Sequence, residues 1–236
     1  MRILICNPDT IGDVVLRQPM FEALRDAGHD LALVVRPLVE PLVKTLAPGA
    51  HVIPMDVQPY RADFVCQGEA HERICDAVQA FDPEVLIVAP YQWTLLEEHL
   101  TRLCDDARVY AFSGYVFGDP RHGPRPRSRL RVDHVVDVEE SSSEARKNEA
   151  MTSAVLGRAV DLPWPSIEAP REAVDAASGV ASTLGLSTWD VACVGESPST
   201  EVRNWPLERW AELLEAHARR SDRHVLLIGA SIEQAS

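Results

Sequence analysis

The sequence has few basic residues, few aromatic residues and no long apolar run. Its 23 lysines and arginines face 36 aspartates and glutamates, a net charge of −13 at pH 7. This charge argues against general nucleic-acid binding, because the phosphate backbone would be repelled. No apolar run approaches the roughly 18 residues of a membrane span, and the N-terminus lacks the features of a signal peptide. We therefore expect a soluble protein.

Several chemical signatures are also missing. The five cysteines are scattered without Cys-x-x-Cys spacing, which suggests neither a disulfide framework nor a zinc site and favours a reducing cytoplasm. His122, His134 and His217 are not spaced as metal ligands, and the acidic run 133–144 is typical of a solvated face. We expect no metal requirement. The absence of Gly-x-Gly-x-x-Gly after the first strand and of Gly-x-Ser-x-Gly disfavours nicotinamide dehydrogenases and hydrolases.

The sequence does contain a regular alternation of buried strands and amphipathic helices. Strand-like apolar runs occupy residues 3–6, 31–35, 51–55, 85–89 and 107–112, and residues 132–138 form a candidate edge strand. Helical patterns between them, such as 14–24, 69–81 and 93–103, predict parallel strands joined by helices. The fold class is therefore α/β, with a doubly wound, Rossmann-like domain.

The same patterns divide the chain into three parts. Residues 1–160 form the first domain, and residues 161–170, with three prolines, form a stiff linker. Residues 171–236 then begin a second α/β domain with two helices and two strands. Because a parallel sheet needs more strands to bury its core, we expect this second domain to be incomplete and loosely ordered.

Two turns contain candidate functional residues. The first, residues 7–15, follows the first strand, where Gly12 allows close approach of a ligand and Asp13 stands at a helix start. The alternative is that Asp13 only caps the helix. The second, residues 195–206, precedes a helix opening at Pro206, and its candidate diphosphate ligands are Ser197, Ser199, Thr200 and Arg203. Here the alternative is a polar connection with a surface arginine.

Together these motifs resemble the ADP-heptose:lipopolysaccharide heptosyltransferase family. The resemblance rests on Ile11-Gly12-Asp13-Val14-Val15, on Arg203-Asn204-Trp205-Pro206 and on Val225-Leu226-Leu227-Ile228-Gly229. It implies a GT-B architecture of two Rossmann-like domains facing a cleft, and metal-independent, inverting transfer of a sugar, here a heptose from ADP-heptose. Asp13 would be the catalytic base, and Glu233 would contact the donor ribose. The family's Asp-x-Gly-x-x-His segment is absent, so we expect the chain as given to be incomplete and inactive.

A loop rich in arginine suggests what kind of acceptor the protein would bind. Its arginines are Arg121, Arg125, Arg127, Arg129 and Arg131. They would attract an anionic glycan or lipid-linked acceptor, such as a lipopolysaccharide core, unless the loop is merely solvated. We expect a cytoplasmic protein that could also contact the inner membrane surface. The competing hypothesis is a non-catalytic nucleotide-sugar-binding module on the same frame.

Overall fold

The computed structural model describes residues 1–61, 63–113, 131–193 and 205–228. The chain divides into two compact units, Met1–Ile167 and Glu168–Ser236. The division falls within the Pro-rich stretch that the sequence predicts as a linker.

The first unit is built from six strands and six α-helices within the described residues. The strands are β1 (Arg2–Asn7), β2 (Asp30–Val35), β3 (His51–Pro54), β4 (Val85–Val88), β5 (Arg108–Phe112) and β6 (His134–Val136). The helices are α1 (Ile11–Leu16), α2 (Gln18–Asp26), α3 (Glu40–Leu46), α4 (Glu69–Phe81), α5 (Leu95–Leu103) and α6 (Glu144–Leu156), and a short 3-10 helix (Pro37–Val39) precedes α3.

The six strands form one parallel sheet in the order β3-β2-β1-β4-β5-β6. Side chains alternate along β1: Ile3 and Ile5 pack into the core on one face, while Leu4 and Cys6 pack into the core on the other. The sheet is therefore covered on both faces, as its continuous apolar runs predict. This confirms the doubly wound α/β fold, and the edge strand expected within 132–138 is β6.

One prediction in this unit is wrong in detail. The apolar period from Val14 to Leu24 predicts a single helix, but the structure has two, α1 and α2, which break at Arg17. Pro19 explains the break, because it has no N–H to donate to the carbonyl of Val15. The break brings Arg17 under the turn that follows β1.

The Pro-rich stretch is attached to the first unit up to Ile167. The Gln18 side chain makes two hydrogen bonds to the backbone of Ser166, donating to its carbonyl at 2.8 Å and accepting from its N–H at 2.7 Å. These two bonds satisfy both backbone groups of Ser166 and hold this extended segment against the start of α2.

The second unit contains α7 (Arg171–Thr183), β7 (Trp189–Cys193), α8 (Leu207–Arg220) and β8 (His224–Ile228) among its described residues. β7 and β8 pair in parallel. Neither helix buries a residue, and apolar side chains such as Val180, Val191, Leu213 and Leu227 are exposed. No helix in the described parts of the chain is long and apolar enough to cross a membrane.

Candidate active site

The turn after β1 lies at the carboxyl edge of the sheet, where ligands bind in folds of this type. Thr10 is the N-cap of α1, and Asp13 is the third residue of that helix. One carboxylate oxygen of Asp13, Oδ2, accepts hydrogen bonds from the Thr10 N–H at 3.1 Å and from its hydroxyl at 2.9 Å. The other oxygen, Oδ1, accepts none from the described residues. Asp13 therefore caps the helix with one oxygen and keeps the second available.

Gly12 is exposed, and its φ is not in the left-handed region. A Cβ placed on it would meet no atom within 4 Å. Neither backbone strain nor packing within the described chain therefore requires glycine here. We expect any requirement for glycine at this position to come from a ligand.

Arg17 is a buried cation beneath this turn, with only 2% of its surface exposed. Its Nη1 lies 2.8 Å from Oδ2 of Asp9 and donates a short hydrogen bond to Oδ1 of Asn7. Its Nη2 donates to the carbonyl of Ala89 at 3.2 Å, just beyond the end of β4. A buried charge is tolerated only when it is paired and hydrogen-bonded, and Arg17 meets both conditions. It therefore ties the ends of β1 and β4 together.

Asp9 is occupied on both oxygens. Oδ2 faces Arg17, and Oδ1 accepts a short hydrogen bond from the hydroxyl of Tyr60. Burial, followed by the negative charge of Asp9, raises the pKa of Tyr60, so this phenol stays protonated and donates. Asp9 is thus engaged on both oxygens, whereas Asp13 has one oxygen without a partner among the residues that the structure describes.

A second carboxyl group, Glu97, lies fully buried at the start of α5. It accepts hydrogen bonds from the Thr94 N–H at 2.6 Å and from the Thr94 hydroxyl, and the Cys6 thiol donates to it at 3.6 Å. Burial raises the pKa of Glu97. Burial, and then the charge of Glu97, raises the pKa of Cys6. The thiol is therefore not a reactive nucleophile.

Arg131 is the one described member of the predicted basic loop. Its Nη1 donates to the carbonyls of Cys104, at 3.2 Å, and Asp105. Its Nη2 donates to the carbonyl of Ala107 and lies 3.3 Å from Oδ2 of Asp133. This guanidinium therefore holds the connection between α5 and β5, and acceptor binding by Arg131 stays a prediction.

The remaining predicted site residues lie outside the described parts of the chain. They are Arg121, Arg125, Arg127 and Arg129 of the basic loop, and Ser197, Ser199, Thr200, Arg203 and Glu233 of the donor side. Their roles stay predictions from the sequence.

A separate group of side chains could hold a metal ion. Ligand atoms of Cys66, His71 and His99 lie within 4.8 Å of one another, and Cys75 contacts both histidines. The spacing of the cysteines does not reveal this group, because α4, α5 and the segment before α4 each contribute to it.

Three solved structures share the architecture of this chain over almost its whole length. They are the E. coli ADP-heptose lipopolysaccharide heptosyltransferase II (14% identity, TM-score 0.65), the E. coli heptosyltransferase WaaC with ADP (16%, 0.65) and a glycosyl transferase family 9 protein from Veillonella parvula (16%, 0.68). They match 98%, 99% and 98% of this chain, respectively. The chain has the heptosyltransferase fold. The sequence matches no family model, and no curated protein matches it closely enough to count as a relative.

The heptosyltransferase fold confirms the predicted GT-B-like class. The chain spans 65%, 68% and 63% of the lengths of those three proteins, about two thirds. At such low identity the shared property is the fold, and function has to be argued from the site.

The sequence analysis did not identify Arg17, Asp9, Tyr60 or Glu97 as site residues. Of these four residues, only Arg17 could have been recognised from the sequence. It stands with Val14, Phe21 and Leu24 at helical spacing on the apolar face, where an arginine must be buried with an acidic partner. The others depend on contacts between residues far apart in the sequence, such as the 91-residue separation of Cys6 and Glu97.

Proposed function

We propose that this protein is a glycosyltransferase that moves a sugar from a nucleotide-sugar donor to an acceptor hydroxyl, with inversion at the anomeric carbon. The observation that carries this proposal is Asp13. It stands at the carboxyl edge of a heptosyltransferase-type sheet, with one oxygen held by Thr10 and the other unpaired among the described residues. A carboxylate held in this way is preorganised to accept a proton.

In the proposed reaction, the acceptor oxygen attacks the anomeric carbon from the face opposite the diphosphate. The acceptor's proton passes to Oδ1 of Asp13 as the new C–O bond forms. The bond to the diphosphate breaks with its electron pair, and the nucleoside diphosphate leaves. Accepting the proton in the transition state contributes about 10²- to 10⁴-fold to the rate.

The donor proposal rests on the second motif. Ser197, Ser199, Thr200 and Arg203 stand before α8, where the helix N-terminus and a guanidinium would stabilise the charge that develops on the diphosphate. Glu233 would contact the ribose. One protein of the same fold was solved with ADP, which supports an adenine nucleotide, and ADP-heptose is the donor we propose.

We propose that the transfer step itself needs no metal ion, because Arg203 and the helix terminus would supply the positive charge. The rate should therefore be the same with and without added Mg²⁺. A rate that rises with Mg²⁺ would contradict this part of the proposal.

A second function deserves a test, because the capping bonds of Asp13 favour it. A carboxylate that only caps α1 would belong to a non-catalytic module that binds a nucleotide sugar. Release of ADP from ADP-heptose in the presence of an acceptor distinguishes the two, since the module would bind the donor without turnover.

The decisive substitution is Asp13→Asn. Its carbonyl oxygen can still accept both hydrogen bonds from Thr10, so the cap remains while the base is lost. We expect turnover to fall by about 10²- to 10⁴-fold, with donor affinity and thermal stability nearly unchanged. Transfer would be followed with the full 236-residue chain.

The matched control is Thr10→Ala, which removes the hydroxyl that donates to Asp13 and leaves the backbone N–H and the carboxylate. It should cost about 0.5–2 kcal/mol of stability and retain most of the turnover. Normal turnover by a correctly folded Asp13→Asn protein would eliminate Asp13 as the base.

A further inference from the structure

Four metal-ligating side chains converge on the face of the first unit formed by α4 and α5. His71 and Cys75 lie four residues apart on α4, so they project from the same side of the helix. His99 comes from the facing helix, α5, and Cys66 from the segment that precedes α4. We refer to Cys66, His71, Cys75 and His99 as the Cys/His cluster.

The two distances from the Cys75 sulfur match those between neighbouring ligands of a tetrahedral zinc ion. The Cys75 sulfur lies 3.4 Å from Nε2 of His71 and 3.6 Å from Nε2 of His99. Bonds of the usual zinc–sulfur and zinc–nitrogen lengths at a tetrahedral angle place such atoms about 3.5 Å apart. Ligand atoms of Cys66 and the two histidines also lie within 4.8 Å of one another.

The described residues around these side chains satisfy them only in part. The Cys66 thiol donates to the carbonyl of Leu95 at 3.2 Å. His71 is buried, and its Nδ1 has no hydrogen-bond partner within the described parts of the chain. The imidazoles of His71 and His99 meet edge to face, with ring centroids 4.6 Å apart. Both imidazoles turn Nε2 toward the Cys75 sulfur, so Nε2 is the nitrogen that a metal ion at the cluster would use.

We propose that the Cys/His cluster binds one Zn²⁺ ion as a structural site. Two thiolates and two neutral imidazoles form a ligand set common in closed structural zinc sites, and thiolates select Zn²⁺ over Mg²⁺ or Ca²⁺. Binding would release the two thiol protons and leave a site with no net charge. The observations that support this site do not rest on the proposed sugar transfer.

A zinc ion bound to the Cys/His cluster should order the chain around it. The cluster joins α4 and α5 to the connecting segment that contains Cys66 and, six residues earlier, Tyr60. Because Tyr60 donates to Asp9, a metal ion at the cluster would help to hold that segment beside the turn after β1. The alternative is a cluster held only by thiol–imidazole hydrogen bonds, since both sulfur–nitrogen distances also allow these.

The test is zinc binding by the full chain. The protein would be purified under reducing conditions, stripped of metal with a chelator and titrated with Zn²⁺ against a chromophoric competitor. We expect one tightly bound Zn²⁺ per chain. Losing a partner that only orients a ligand weakens metal sites by about 10- to 100-fold, so Cys75→Ser and His99→Gln should weaken binding by at least about 10-fold.

Cys193→Ser and His224→Gln are the matched controls, because both residues are exposed and lie in the second unit. They should leave zinc affinity unchanged. Failure of the unmodified chain to bind one equivalent, or binding that Cys75→Ser and His99→Gln leave intact, would overturn the proposal.

Two measurements on the unmodified chain remain decisive if these variants do not fold. Co²⁺ in place of Zn²⁺ should give the intense visible bands of a tetrahedral ion together with thiolate-to-metal charge transfer. A weak octahedral spectrum would refute the site. Zn²⁺ should also increase hydrogen-exchange protection of residues 63–75, and unchanged protection would exclude the structural role.

Discussion

The buried Arg17 and the half-buried Asp9 form an ion pair at the candidate active-site turn. Nη1 of Arg17 lies 2.8 Å from Oδ2 of Asp9, and the two side chains are 3% and 15% exposed. The same guanidinium reaches Asn7 and Ala89, so one side chain connects the ends of two neighbouring strands and the turn before Asp13. The position of the proposed base therefore depends on a residue that does not itself take part in the chemistry.

Arg17→Met should strongly destabilise the first unit. The substitution leaves the half-buried Asp9 carboxylate without its charged partner, and breaking a fully buried pair costs about 3–5 kcal/mol, which is the upper limit expected here. Urea unfolding followed by circular dichroism would measure the loss. Arg25→Met, on α2, is the control. Its side chain is 38% exposed and pairs with an exposed aspartate, so it should cost less than about 1 kcal/mol.

The double variant Asp9→Asn/Arg17→Met provides a second check on this pair. Removing both charges leaves neither one buried alone, so the combined loss should be smaller than the sum of the single losses. Strictly additive losses would show that the two residues do not act as a pair.

Glu97 should make the stability of the first unit depend on pH. Burial raises its pKa above the usual value of 4.5, so the folded state retains a proton that the unfolded state has lost. The stability that Glu97 contributes is therefore fully present below pH 4.5. It is lost as the pH rises through the raised pKa, with a slope of up to about 1.4 kcal/mol per pH unit.

Glu97→Gln should abolish that slope. The amide oxygen can still accept from Thr94, and the amide nitrogen would face the Cys6 sulfur, a weak acceptor. The variant should gain stability relative to the unmodified protein as pH rises above 4.5, whereas the exposed Glu69→Gln should not. Parallel stability curves for Glu97→Gln and the unmodified protein would contradict a raised pKa.

The sequence predicts local structure well where the signals are local. The predicted helix 69–81 is α4 with the same limits, since Gly68 precedes it and Asp82, in the left-handed conformation, ends it before Pro83. The strands are recovered because a parallel sheet covered on both faces needs continuous apolar runs.

The site was less predictable because its contacts join distant parts of the chain. Asp13 and Gly12 could be chosen as candidates from one turn, but the pairing of Tyr60 with Asp9 spans 51 residues and that of Arg17 with Ala89 spans 72. The Cys/His cluster was missed for the same reason, since His99 lies 24 residues beyond Cys75. No spacing rule for ligands on one element detects such a group.

Gly12→Ala should show whether substrate binding, and not the stability of the fold, requires glycine at this position. No atom obstructs a Cβ at this position, so stability should stay the same or rise by up to about 1 kcal/mol. If the acceptor approaches the backbone here, its KM should rise. Gly28→Ala is the control with the opposite outcome. Its φ of +81° is unfavourable for alanine, so it should destabilise the fold. An unchanged KM in Gly12→Ala would remove Gly12 from the substrate site.

The arginines of the basic loop should have two different roles. We expect most of them to bind the acceptor and Arg131 to support the fold. Replacing Arg121, Arg125 and Arg127 with glutamine should raise the KM of an anionic acceptor. The effect should shrink as salt is added, because salt screens exposed charges, and donor affinity should not change. Arg131→Gln should instead lower stability, because the carbonyls of Cys104 and Ala107 lose their donor. Equal acceptor KM values before and after the triple substitution, measured at low salt, would show that the loop does not bind the acceptor.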